Sequence, residues 1–140
     1  NYGVNGETSS DLLRRSWHQL KSNPGAKIAL LLIGTNDTKK PIPLDIYKDN
    51  LRQIINSIKV NGKTPIVATL PDLEFSPYYM FNRKYIKKYN SVINDLSKSM
   101  NFMVCNLDDL KDHLIDGVHF THEGYKEVAE RWAKTILSLR

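Results

Sequence analysis

The stretch DGVHFTHEG, residues 116–124, carries an aspartate and a histidine three positions apart. A carboxylate that accepts a hydrogen bond from one imidazole nitrogen fixes the tautomer of the ring, and the other nitrogen can then act as a general base. Asp116 and His119 could form such a pair across a tight turn, which Gly117 would relax. The pattern is short enough to arise by chance, so on its own it does not establish catalysis.

His122 adds a second interpretation of the same stretch. Asp116, His119 and His122 are evenly spaced, and carboxylate and imidazole groups are common zinc ligands. His122 would equally be a solvent-exposed residue in the first turn of a helix capped by Thr121. We favour the exposed residue over the metal ligand.

Two further stretches offer hydrogen-bond donors for a negatively charged oxygen. In NYGVNGETSS, Gly3 and Gly6 permit positive φ values, and the helix that follows begins with unpaired N–H groups. In GTND, Asn36 could donate its side-chain amide while Asp37 braces the loop. Both stretches are also common as simple turns or caps, so each alone leaves the question open.

The elements that would position these groups alternate along the chain. Hydrophobic spacing predicts helices at residues 8–22, 44–61, 82–100 and 121–139, and strands at residues 28–33, 64–70 and 102–107. The first helix should bury Trp17 or Ser16, and the second should bury Ile46. The strand KIALLLI is apolar throughout, which is typical of parallel strands covered on both faces. The sequence thus predicts a layered α/β fold in which ligands bind beyond the carboxyl ends of the strands.

Composition narrows the class of protein. The chain has 140 residues, 41% hydrophobic and 25% charged, which suits one globular domain with a substantial core. The basic residues that give the net charge of +5 are spread along the sequence without a nucleic-acid-binding motif, so we expect a solvated surface and no nucleic-acid partner. Cys105 is the single cysteine and is expected to be packed. No apolar run is long enough for a transmembrane segment.

Taken together and in order, the three stretches resemble the SGNH hydrolases, the GDSL esterase/lipase family. That family has four blocks: Gly-Asp-Ser with the nucleophile, a glycine block, Gly-x-Asn-Asp, and Asp-x-x-His. NYGVNGETSS resembles the second block and GTND the third, which implies Gly6 and Asn36 as the oxyanion hole. DGVHFTHEGY resembles the fourth, which implies Asp116 and His119 as triad members. The resemblance also implies an acyl-transfer mechanism that needs no metal or organic cofactor. The resemblance spans essentially all 140 residues and implies a three-layer α/β/α, flavodoxin-like fold with a parallel sheet.

The chain lacks the block that carries the nucleophilic serine in this family. No Gly-Asp-Ser occurs in the chain, and no G-x-S-x-G elbow replaces it. Serines that the chain does contain lie at a helix start, before a proline or on helices, and are poor substitutes; they include Ser9, Ser10, Ser76, Ser91, Ser97, Ser99 and Ser138.

The resemblance therefore makes this chain a single domain that is incomplete at its N-terminus. The first two strands and the nucleophile would lie upstream, in the same protein or in a separate chain, and their absence would expose an apolar edge of KIALLLI. We expect residues 1–140 alone to be nearly inactive.

The substrate is less well defined by the sequence. The family implies a small ester or an acylated carbohydrate or lipid. Phe75, Tyr78 and Tyr79 could line a substrate pocket, although aromatic residues that anchor a loop on the core are the favoured interpretation. Two alternatives to an ester hydrolase remain open: a non-catalytic SGNH-like module that binds carbohydrate or protein, and a metal-dependent hydrolase that uses Asp116, His119 and His122.

Overall fold

The computed structural model of the chain describes residues 1–74, 76 and 80–139. Within these residues helices and strands alternate in the order α1 (Ser9–Lys21), β1 (Ile28–Leu31), α2 (Leu44–Val60), β2 (Thr64–Ala68), α3 (Arg83–Met100), β3 (Met103–Cys105) and α4 (His122–Leu137). Two short 3-10 helices, Asn36–Thr38 and Lys111–His113, lie in the connections after β1 and β3. The predicted elements are all present, and their observed ends lie within three residues of the predicted ones.

The strands form one parallel sheet in the order β1-β2-β3. Leu31 of β1 lies beside Val67 of β2, and Ala68 of β2 lies beside Cys105 of β3. Because the strands are parallel and in this register, their carboxyl ends meet at one edge, which we call the carboxyl edge.

Helices cover both faces of the sheet. On one face, side chains of α2 and α3 form a core with Leu31 and Val67, and α1 packs against α2. On the other face, α4 contributes Val128, Trp132 and Ile136 to a second cluster around Ile66. This arrangement confirms the predicted three-layer α/β/α fold with a parallel sheet.

The helices begin where the sequence provides capping groups. The Thr8 hydroxyl accepts from the backbone N–H of Asp11, whose side chain in turn accepts from the Thr8 N–H, which is a complete capping box. The Asn82 side chain caps α3 and the Thr121 hydroxyl caps α4, both by accepting a backbone N–H. The predicted cap of α4, Thr121, is thus confirmed.

The inward faces of two helices differ in detail from the predicted ones. Ile46 was expected in the core, which is wrong: its side chain is 46% exposed, and Tyr47 is completely buried instead. At 100° per residue, Tyr47 lies about 40° around the helix from Leu51, whereas Ile46 lies about 140° away. In α1, Ser16 is buried and Trp17 is 44% exposed.

Two expectations drawn from composition can also be compared with the structure. Cys105 is completely buried at the end of β3, as predicted, and burial raises the pKa of its thiol. In the part of the chain that the structure describes, no helix has the length and apolar character needed to cross a membrane.

Candidate active site

Four predicted site residues, Gly6, Asn36, Asp116 and His119, lie within the described part of the chain, in connections at the carboxyl edge of the sheet. Asn36 begins the 3-10 helix in the connection after β1, and the Asp116–His119 turn lies between β3 and α4. The loop after β2 connects these two regions. The Glu74 N–H donates to the Gly117 carbonyl at 2.9 Å, and at the other end of this loop Leu70 packs beside Gly34. The structure therefore brings the Asn36 loop and the Asp116–His119 turn to one edge of the sheet.

Asp116 and His119 form a close pair. Asp116 Oδ2 lies 2.7 Å from His119 Nδ1. The other carboxylate oxygen accepts the backbone N–H of His119 at 2.7 Å and that of Val118 at 3.0 Å. Gly117 takes a φ of +82°, which allows the chain to turn so tightly, as the sequence predicted. This geometry orients the imidazole through Nδ1 and directs Nε2 away from the carboxylate.

The electrostatic environment keeps Asp116 ionised. The hydrogen bond from the His119 backbone N–H, followed by the bond to the His119 side chain, lowers the pKa of Asp116 to about 2. Near neutral pH the side chain is therefore a carboxylate, which can stabilise a positively charged imidazole. The His119 side chain is 52% exposed and thus accessible from solvent.

Asn36 lies beside the glycine-rich segment that precedes α1. Its Nδ2 donates to the Glu7 carbonyl at 3.2 Å, although 29 residues separate the two. A side-chain amide has two donor hydrogens, so this bond leaves one for a further acceptor. Gly6, one residue before Glu7, has a φ of +76° and is exposed, whereas Gly3 does not take a positive φ. Within residues 1–74, 76 and 80–139, no hydrogen bond involves the Gly6 N–H.

A buried polar network holds these two segments in place. Asp37 is 1% exposed and accepts two bonds from Ser9, from its N–H at 2.9 Å and its hydroxyl at 2.5 Å. Asn50 of α2 donates to the hydroxyls of both Ser9 and Ser10 at 3.0 Å. Burial raises the pKa of Asp37, while the bonds from Ser9 act in the opposite direction. The expectation that Asp37 braces the loop is confirmed, and its partner is the first residue of α1.

A second buried contact fixes the segment on its other side. Glu7 is 9% exposed and forms an ion pair with Arg15 of α1, whose guanidinium also donates to the Tyr2 carbonyl at 2.8 Å. The ion pair raises the pKa of Arg15. Residues 2–7 are thereby held along α1, so the position of Gly6 is set from both directions.

Gly34 explains why GTND must begin with glycine. Its φ is +136°, and a Cβ built there would lie 2.5 Å from Tyr47 Oη. That hydroxyl donates to the Ile33 carbonyl at 2.7 Å, and the Tyr47 ring stacks on Tyr89 with centroids 4.1 Å apart. A side chain at Gly34 would displace this aromatic pair, which supports the loop that carries Asn36.

The described part of the chain adds no other candidate residue to this arrangement. Phe75, Tyr78 and Tyr79 lie outside the described residues. His122 is exposed at the first position of α4, as predicted, and in the described part of the chain no group of three His, Cys, Asp or Glu side chains could hold a metal ion. The serine hydroxyls with hydrogen bonds to helical carbonyls include those of Ser91, Ser97, Ser99 and Ser138.

Several residues that shape the site were not predicted from the sequence. Ser9 was considered as a poor nucleophile at a helix start, yet its hydroxyl connects Asp37 to Asn50. The Glu7–Arg15 pair and the contact of Gly34 with Tyr47 were not predicted either. The available signal was the density of small polar residues in ETSSD and GTND, but their partners lie on other elements and cannot be read from spacing.

Comparisons with known proteins agree with this architecture. The sequence model of the GDSL-like Lipase/Acylhydrolase family matches residues 1–127. No curated protein matches the chain in sequence.

Several solved structures share the fold. A GDSL-like lipase from Bacteroides thetaiotaomicron has a TM-score of 0.85 at 22% identity, with 99% of this chain and 75% of the other covered. A lipase/acylhydrolase from Enterococcus faecalis has a TM-score of 0.80 at 21% identity, with 94% and 71% covered. An acetylxylan esterase from Geobacillus stearothermophilus, solved as a catalytic mutant, has a TM-score of 0.77 at 21% identity, with 97% and 70% covered.

Proposed function

Since the chain belongs to the GDSL-like lipase/acylhydrolase family, we propose that it supplies the general base and two oxyanion donors of a serine ester hydrolase. The observation that carries the proposal is the 2.7 Å contact between Asp116 Oδ2 and His119 Nδ1 at the edge that also bears Asn36. A carboxylate–imidazole pair of this kind activates a hydroxyl nucleophile in acyl transfer.

The proposed reaction proceeds through an acyl-enzyme. A serine hydroxyl attacks the ester carbonyl carbon while His119 Nε2 takes its proton, and Asp116 stabilises the resulting imidazolium through Nδ1. The negative charge that develops on the carbonyl oxygen is held by the Gly6 N–H, the second hydrogen of Asn36 Nδ2 and the N–H of the serine. The imidazolium then protonates the departing alcohol. Water next attacks the carbonyl carbon of the acyl-enzyme while His119 Nε2 takes its proton, and the imidazolium returns a proton to the serine oxygen as the acid departs.

The serine in this proposal comes from outside residues 1–140. No Gly-Asp-Ser block occurs in the chain. Ser9, the serine nearest in sequence to Gly6, is completely buried, and its hydroxyl donates to Asp37. Because the Ser9 hydroxyl is buried and bonded to a carboxylate, an ester substrate could not approach it.

The open side of β1 is where the segment with the nucleophile would add. Among the described strands, β1 pairs only with β2; Leu30 of β1 is 48% exposed, and Leu32, just beyond its end, is 42% exposed. A groove of about 960 Å³ runs beside β1, bordered by α1 on one side and by Tyr125 and Trp132 of α4 on the other. An unpaired apolar edge of this kind favours the addition of another strand.

For the substrate we propose a small acyl ester, with acylated carbohydrates as the first class to examine. The acetylxylan esterase from Geobacillus stearothermophilus shares the fold of this chain, which supports that choice. The exposure of His119 suits a substrate whose alcohol portion extends into solvent.

The test is hydrolysis of p-nitrophenyl acetate by the protein that includes the Gly-Asp-Ser segment. His119→Gln should lower turnover by about 10²–10⁴, the usual contribution of a general base. His122→Gln is the matched control, because His122 is exposed three residues away, and it should retain wild-type turnover. Residues 1–140 alone should be nearly inactive.

Other outcomes would assign the protein to a different class. Full activity in His119→Gln would refute the triad. No hydrolysis and no labelling by a fluorophosphonate, in a folded protein that contains the segment, would favour the non-catalytic binding module. Activity that is lost on chelation and restored by zinc would favour the metal-dependent hydrolase.

A further inference from the structure

Two basic segments that are distant in sequence form one continuous surface. The Thr38 carbonyl accepts the Asn82 N–H at 3.2 Å, and Lys39 Nζ lies 5.1 Å from the centre of the Phe81 ring. The Ile42 N–H and carbonyl both bond to the Tyr89 hydroxyl, at 3.1 Å and 3.0 Å. Residues 38–46 and 80–88 therefore pack side by side, and we call their exposed side chains the basic–apolar surface.

This surface carries the net charge of the chain. The two segments contain six Lys or Arg residues and one acid, Asp45, so they account for the whole formal charge of +5, and the other residues balance. Sequence alone predicted that the basic residues were spread out; folding brings two groups of them together. Among ion pairs of the described residues, only the 4.0 Å contact of Arg83 with Asp72 involves this surface. Its basic side chains are exposed: Lys39, Lys40, Arg83, Lys84, Lys87 and Lys88.

Exposed apolar side chains lie among these cations. Leu44 and Ile46, in the first turn of α2, are 38% and 46% exposed, and Met80 is 87% exposed. Pro41 and Pro43 are also exposed. Such side chains gain nothing from a soluble polyanion, whereas a bilayer offers them the boundary between headgroups and acyl chains.

We propose that the basic–apolar surface docks the protein on an anionic phospholipid bilayer. The lysines would bind the negative headgroups, while Leu44, Ile46 and Met80 enter the interface beneath them. The charge complementarity and the mixture of cations with exposed apolar groups favour a bilayer over a nucleic acid or an acidic glycan.

The surface lies at the same edge of the sheet as the candidate site. Lys39 is three residues beyond Asn36, and α2 and α3 both begin at the carboxyl edge. Docking would bring this edge of the molecule close to the lipid. The proposal does not depend on catalysis, because binding to vesicles is measured without any reaction.

The first test is co-sedimentation of the protein with vesicles of phosphatidylcholine alone or with about 30% phosphatidylserine, at about 0.1 M salt. We expect binding only to the anionic vesicles, and weaker binding as salt rises. Lys40→Glu with Lys84→Glu should lower the partition coefficient at least ~30-fold, from about fivefold for each lysine removed.

A matched control distinguishes the effect of this surface on vesicle binding from the effect of net charge. Lys98→Glu with Lys134→Glu makes the same change in charge, but these exposed lysines lie in the last turns of α3 and α4, at the opposite edge. This variant should keep most of the binding. Equal losses in the two variants would overturn the proposal, because net charge would then explain the result.

The apolar part of the surface has its own control on the same helix. Ile46→Ser should weaken vesicle binding several-fold, whereas Val60→Ser should not, although Val60 is 68% exposed in the last turn of α2. Circular dichroism should show that all variants are folded. Failure of the folded wild type to bind anionic vesicles would overturn the proposal, as would binding to soluble heparin without binding to vesicles.

Discussion

The Asp37 carboxylate should be one of the largest single contributors to stability near the candidate site. It accepts the Ser9 N–H at 2.9 Å and the Ser9 hydroxyl at 2.5 Å, and it is 1% exposed. Asp37→Ala would leave both donors buried and unsatisfied, at about 1–3 kcal/mol each. Because burial raises the pKa of Asp37, part of the gain from these bonds is already offset in the wild type. We therefore expect a net loss of about 2–4 kcal/mol.

Asp37→Asn should have a smaller effect for a specific reason. The Asn oxygen can still accept the Ser9 N–H, but its NH₂ group would face a hydroxyl that already accepts from Asn50 Nδ2. One donor rather than two loses its acceptor, so the loss should be about 1–2 kcal/mol. The order wild type, Asn, Ala in decreasing stability thus follows from the count of unsatisfied donors.

Urea unfolding followed by circular dichroism measures these differences, provided that the slope of the free energy of unfolding with urea is unchanged. Asp49→Asn is the control, since Asp49 pairs with Arg52 on the exposed side of α2 and should contribute less than about 1 kcal/mol. If Asp37→Ala lost less than about 1 kcal/mol, Asp37 would not be holding the start of α1 against the loop after β1.

Two further predictions concern the loops that carry the site. Gly34→Ala should lower the free energy of unfolding by at least ~3 kcal/mol, because a φ of +136° is strained for alanine and the added Cβ would lie 2.5 Å from the Tyr47 hydroxyl, which must move. Gly25→Ala, with no atom within 4 Å of the added Cβ, is the control and should be nearly neutral. Similar urea midpoints for the two variants would contradict this prediction. The carboxyl carbon of Asp116 should titrate by NMR with a midpoint near pH 2. Since the folded pKa is lowered, the stability contributed by this carboxylate is present above its ordinary pKa of about 3.9 and is lost as pH falls towards 2; a midpoint near 3.9 would show that the bonds to His119 do not form in solution.

The fold was largely predictable because its signals are local. Apolar spacing and caps such as Thr8 and Thr121 act within a few residues, so the elements and the fold class could be predicted from the sequence. The Asp116–His119 turn is equally local, with three residues between its partners and Gly117 to allow the turn. The inward face of α2 was predicted wrongly at one position, because helical spacing allowed either Ile46 or Tyr47 to point into the core.

The contacts that hold the site in place could not be predicted, because they join residues that are far apart in the sequence. Ser9 and Asp37 are 28 residues apart, and their bond exists only because α1 packs beside the loop after β1. Similarly, Lys39 and Lys84 gather on one surface through packing of the 38–46 segment against α3. No periodicity encodes which polar side chains meet once the layers assemble.

The most direct test of the account is a crystal structure of the protein that contains the Gly-Asp-Ser segment, after reaction with a fluorophosphonate. We predict a phosphorus–serine adduct whose phosphoryl oxygen lies about 2.7–3.1 Å from both the Gly6 N and Asn36 Nδ2. His119 Nε2 should lie within hydrogen-bond distance of the serine oxygen. An adduct whose phosphoryl oxygen points away from Gly6 and Asn36 would contradict the claim that these loops form one acyl-transfer site.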